Sequence, residues 1–237
     1  MPEVFFTGPE GRIEGRYHQS DNPNAALALV LHPHPLYGGT MNNKVVYNCY
    51  QSFVKAGLSV LRINFRGVGR SEGQYDNGIG EMTDAATALD WLQTQNPDAR
   101  SCWIAGFSFG AWISMQLMMR RPEIDNFVAL SPPANMYDFS FLSPCPANGL
   151  IVQGTMDSVV PQKDVDSLAE KLGRQRGVDI EYQIVDGADH YFRNKIDELN
   201  EHMDEYINRK VGEFVYKIPT KPDRKRRQNK KNEEDDS

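Results

Sequence analysis

Apolar runs alternate with helix-like patterns from about residue 25 onward, which predicts a mostly parallel sheet with helices on both faces. Residues 25–31 are a continuous apolar run ending in His32, the pattern of a strand buried on both sides. Residues 43–55 read as a helix and 58–65 as the next strand. In 81–94, Met82, Ala85, Ala86, Leu89, Trp91 and Leu92 gather near one face of a helix that Pro97 stops. A strand over 101–105 and a helix over 111–120 follow. Further strands are predicted at 127–130, 149–152 and 180–185, and helices at 163–172 and 195–211. Residues 1–18, punctuated by Gly8, Pro9, Gly11 and Gly15, read as an antiparallel hairpin at the sheet edge. The connection 131–148 has no room for an inserted helical lid, so an open site is expected.

Composition places these elements in an ordinary globular protein. The chain has 237 residues, 40% hydrophobic and 24% charged, enough for one α/β domain, expected over 1–216. No run of about 18 apolar residues is present to span a bilayer. The opening Met1 to Phe6 lacks a basic leader before an apolar stretch, and a cytoplasmic place is expected. Cys49, Cys102 and Cys145 are odd in number and have no CxxC spacing, which argues against a disulfide framework or a zinc site. Residues 217–237 carry eight Lys or Arg and five Asp or Glu, basic first and then acidic, on a chain of net charge −6. With few apolar side chains, that tail is expected to be disordered. Its RKRR and KK clusters admit a nucleic-acid or anionic-surface contact, against the plainer reading of a solvated extension with no part in the chemistry.

One stretch concentrates candidate chemistry. Gly106-Phe107-Ser108-Phe109-Gly110 joins a predicted strand to a predicted helix, the setting in which G-x-S-x-G forms a nucleophile elbow. A serine so placed stands at the positive end of a helix, where an anionic intermediate is favoured. As a weak nucleophile it needs a base, and the base needs an acid to fix its tautomer. Two histidines lie beyond Ser108: His190, in a loop after the last predicted strand, and His202, in the polar pattern of the final helix. Loops at the carboxyl ends of parallel strands favour His190. Asp157, past the strand at 149–152, is the candidate acid; it could instead cap the helix that Pro161 starts, and Asp186 and Asp189 are rivals by position. For an oxyanion hole, the Phe109 N–H is one expected donor. The second is expected in His32-Pro33-His34-Pro35-Leu36, where the prolines have no N–H, leaving His34 first and Leu36 next. Leu36, Tyr37, Tyr137, Phe139 and Phe141 are candidate pocket residues. His32 and His34 lack a third ligand at zinc-like spacing, so no metal is expected. The glycines of Phe65 to Gly73 lack the order of a nucleotide-binding loop, and Arg66 there is expected to be paired structurally.

The segments HPHPLYGGTMNNK, FRGVGRSEG, GFSFG, GTMDSVVP and GADHYF together resemble the α/β-hydrolase superfamily over residues 25–211. Within it the chain looks most like small, lidless bacterial hydrolases related to dienelactone hydrolases and esterases. The resemblance implies an α/β-hydrolase fold with an antiparallel N-terminal edge and no large lid. It implies Ser108 as nucleophile, Asp157 as acid and His190 as base, with no cofactor. Dienelactone hydrolases proper use a cysteine nucleophile, and the serine here speaks against a lactone substrate. The expected activity is cleavage of small to medium esters through an acyl-enzyme. A thioesterase, a small peptidase or a non-catalytic binding protein are the alternatives.

Overall fold

The structure is a computed structural model that describes residues 2–216; the predicted tail, 217–237, lies outside the described residues. In chain order its elements are β1 (Glu3–Gly8), β2 (Gly11–His18), β3 (Leu27–Leu31), α1 (Lys44–Lys55), β4 (Ser59–Ile63), α2 (Ile79–Gln95), β5 (Cys102–Phe107), α3 (Phe109–Met118), β6 (Ile124–Leu130), β7 (Asn148–Gly154), α4 (Gln162–Gly173), β8 (Ile180–Val185) and α5 (Ile196–Tyr216). The eight strands form one sheet in the order β1-β2-β4-β3-β5-β6-β7-β8. The β1–β2 and β2–β4 pairs are antiparallel and the rest are parallel.

Burial explains the sequence patterns. Strands β3, β4 and β5 are buried at every position, which is why they read as unbroken apolar runs, whereas β1 alternates exposed and half-buried residues at the edge. Helices α1 and α5 cover one face of the sheet through Val45, Cys49 and Phe53 and through Leu199, Met203 and Tyr206. Helices α2, α3 and α4 cover the other, through Leu89, Ile113 and Val165 among others. Strand β4 ends before the predicted run does. Past its end, the Asn64 N–H still donates to the Glu14 carbonyl (2.9 Å), while its side-chain amide donates to Glu14 Oε2 (2.8 Å) and its Oδ1 accepts from the Met41 N–H (2.8 Å).

This topology positions a site. From β3 the chain crosses to β4 on one side and returns to β5 on the other, so the loops after β3 and β5 diverge and leave a crevice at the carboxyl ends. The connection from β6 to β7 contains only turns, with no large lid. Arg66, just past β4, forms a buried pair with Asp84 of α2 at 2.8 Å, which locks its glycine-containing loop against the helix. No helix among the described residues is long and apolar enough to cross a membrane.

Candidate active site

Ser108 lies between β5 and α3 with φ 54° and ψ −120°, a conformation costly for any residue with a β-carbon. The turn is held by its N–H, donated to the Leu130 carbonyl at 2.8 Å, and by its carbonyl, which accepts from Ala111 at 2.8 Å. The flanking glycines are there for space. A β-carbon on Gly106 would collide with the backbone of Gly110, and one on Gly110 would lie 2.5 Å from the Leu31 carbonyl oxygen.

Ser108 Oγ is 3.1 Å from His190 Nε2, and His190 Nδ1 is 2.8 Å from Asp157 Oδ2. Both partners are nearly closed to solvent. The imidazole is fixed by Phe107, with ring centroids 5.0 Å apart, and by Tyr191, edge-on at 5.2 Å. The second oxygen of Asp157 accepts from the Val159 and Val160 N–H groups, each at 2.8 Å. Asp157 therefore ties its own loop together rather than capping α4, whose N-cap is Pro161. Burial alone would raise its pKa, but the bonds from His190, Val159 and Val160 together hold it below the ordinary carboxylate range. The rivals are engaged elsewhere: Asp186 with Thr155 at 3.0 Å, and Asp189 with the Arg193 N–H at 2.8 Å.

The loop after β3 makes one wall. His32 is fully buried, placed 3.0 Å from the Phe65 N–H through Nε2 and 2.6 Å from the Pro33 carbonyl through Nδ1. Those partners require an Nδ1–H tautomer, and burial pulls its pKa down to about 4, so it stays neutral. His34 begins a short 3-10 turn, Pro35–Tyr37, and its Nδ1 accepts from the Leu36 N–H at 3.2 Å. That bond uses up the alternative oxyanion donor. The N–H groups of Phe109 and His34 are donated to no other group among the described residues. Among the described residues, no cluster of three or more His, Cys, Asp or Glu is gathered to hold a metal ion.

A cleft of about 430 Å³ opens over Ser108 and His190, walled by His34, Tyr37, Phe109, Met136, Tyr137 and Tyr191. Burial lowers the pKa of His34 and pushes the Tyr137 phenol up to about 12, so both present neutral groups. Three of the pocket residues expected from sequence do not line it. Leu36 stands 66% exposed on the loop. Phe139 and Phe141 stack on each other, centroids 6.0 Å apart, and pack against the core; Phe139 walls a separate cavity beside α4. Their loop is drawn that way by Gln175, which donates to the Leu142 carbonyl (2.7 Å) and accepts from the Cys145 N–H (2.6 Å). Sequence reasoning also missed Gln153, whose amide donates to Asp157 Oδ2 at 3.1 Å. Its signal was a lone polar residue closing an apolar strand.

A parallel sheet with an antiparallel N-terminal edge, no lid among the described residues, and a strained serine bonded to a histidine that is bonded in turn to a carboxylate define an α/β hydrolase, a hydrolytic enzyme working through a nucleophile. The sequence model of the X-Pro dipeptidyl-peptidase (S15) family matches residues 16–210, and the chain belongs to that family. An uncharacterized protein of Rickettsia prowazekii (strain Madrid E) is 59% identical over 211 residues, 87% of this chain and 89% of the relative. The crystal structure of ATU1826, a protein of unknown function from Agrobacterium tumefaciens, is similar at TM-score 0.87 and 54% identity, covering 89% of this chain and 97% of that one. XC6422 from Xanthomonas campestris, described as an a/b serine hydrolase without lid, is similar at TM-score 0.79 and 30% identity over 93% of this chain and 96% of its own.

Proposed function

We propose that the protein is a serine hydrolase that cleaves uncharged carboxylic acyl compounds, small to medium esters first, through an acyl-enzyme on Ser108. The observation that carries the reading is His190, bonded on one side to Ser108 Oγ and on the other to Asp157. His190 Nε2 takes the hydroxyl proton as Ser108 attacks the carbonyl carbon, and Asp157 stabilises the imidazolium that forms. The oxyanion is held by the Phe109 and His34 N–H groups. His190 then passes the proton to the leaving group, and a water that it deprotonates releases the acid. An open cleft with neutral, largely apolar walls suits a small acyl group, and an alkoxide or phenoxide needs less help to leave than an amine. Three free, buried cysteines are compatible with a reducing compartment, and a cytoplasmic place is part of the proposal.

A second reading, a small peptidase, has the S15 family match behind it, which gives it more weight among the comparisons than the ester has. The cleft supplies the counter-argument, because none of the described residues lining it carries a carboxylate to meet a free amino terminus. A panel of p-nitrophenyl acetate, butyrate and octanoate beside Ala-Pro and acetyl-Ala-Pro p-nitroanilides separates the two. Ester turnover that disappears in Ser108→Ala supports the first reading. A higher kcat/KM on the free-amine anilide than on any ester transfers the assignment to the second.

A further inference from the structure

Gln153 ends the apolar run Leu150-Ile151-Val152 in β7 and is fully buried. Burying an amide costs free energy unless its polar atoms find partners, so its bonds bear on why it is there. Its Nε2 lies 3.1 Å from Asp157 Oδ2 and 2.8 Å from the Val160 carbonyl oxygen. Both amide hydrogens are thus given to the loop that carries Asp157. Turning the amide over would set its oxygen against a carboxylate and a carbonyl, so the chemistry of the partners fixes the orientation.

Its Oε1 has no partner among the described residues, and neither has Ser131 Oγ. Ser131 and Gln153 each lie one residue beyond the register pair Leu130 and Val152, and the Ser131 N–H donates to the Val152 carbonyl at 2.9 Å.

Asp157 Oδ1 is occupied by two backbone N–H groups, and Oδ2 is shared between His190 on the open side and Gln153 on the core side. We infer that Gln153 is a positioning residue of this site: it clamps Asp157 Oδ2 from within the sheet, fixing which lone pair faces His190 and limiting the negative charge the imidazole feels. The inference rests on Asp157 being the acid of the proposed triad. Among the described titratable side chains, His190 is the one bonded to Asp157, whereas Asp186 and Asp189 in the facing loop are bound to Thr155 and to the Arg193 backbone.

Removing the clamp leaves more charge on Oδ2, which binds a protonated His190 more tightly. The acid limb of the rate profile then moves to higher pH. The test is p-nitrophenyl acetate hydrolysis from pH 4.5 to 9 by wild type, Gln153→Met and Gln153→Leu, with thermal melting of each. Gln153→Met is expected to lower kcat about tenfold with KM within about twofold, and to move the acid limb upward. Gln153→Leu likewise deletes both amide hydrogens and is expected to move the limb in the same direction. A variant that melts cooperatively yet keeps the wild-type limb and kcat overturns the inference, since a packing role changes stability alone. Should Gln153→Met fail to fold, the limb in Gln153→Leu decides. Wild-type protein that neither hydrolyses the ester nor reacts with a fluorophosphonate overturns the triad reading itself, and the inference with it; the two failures are thus told apart by the wild type.

Discussion

Ser108, His190 and Asp157 come from three separate loops and meet within 3.1 Å of one another in sequence of contact. In the proposed mechanism they form one proton path, so their losses should not be equal. Ser108→Ala and His190→Ala are each expected to lower kcat by about 10⁴ or more, and Asp157→Asn somewhat less, on the best substrate of the panel. Wild-type activity in Asp157→Asn would move the acid to Asp186 or Asp189. The three positions were readable in the chain because a strand end, a loop and a residue type coincide at each. Gln153 was not, since nothing in a sequence says which loop a buried amide faces.

At the scale of elements, the central strands followed from unbroken apolar runs because both their faces are buried, whereas the half-exposed edge hairpin was read from its glycine and proline punctuation. The connection from β6 to β7 was less readable. Phe139 and Phe141 look like pocket residues by composition, but they pack against the core in a loop that Gln175, just past α4, ties down through Leu142 and Cys145. His32 makes the carboxyl end of β3 sensitive to acid. With a folded pKa of about 4 against about 6.5 in the unfolded chain, the unfolded state binds the extra proton between those values. Stability should therefore fall as pH drops through that window, by about 3 kcal/mol from this group, and be unaffected by it above. Urea unfolding at pH 7 and pH 4 checks this: His32→Gln, which offers the same donor and acceptor, should lose less than wild type. An equal loss in both would mean His32 is not held neutral. In α5, Gly212 has open space where a β-carbon would go. Gly212→Ala is expected to stabilise the fold by about 0.5–1 kcal/mol in the same measurement, and a destabilisation would contradict the helix assignment there.

Across the whole molecule, the sheet order places the loops after β3, β5, β7 and β8 around one crevice, and the absence of a lid among the described residues leaves it open. What the fold does not choose is the acyl group, because the same frame serves many substrates. If this crevice activates Ser108, covalent labelling with a fluorophosphonate probe will show it. Wild type and Ser108→Ala would be treated in parallel and the labelled peptide mapped by mass. One adduct is expected, on Ser108, absent from the variant. A folded wild-type protein that takes no label, or takes it elsewhere, would contradict it.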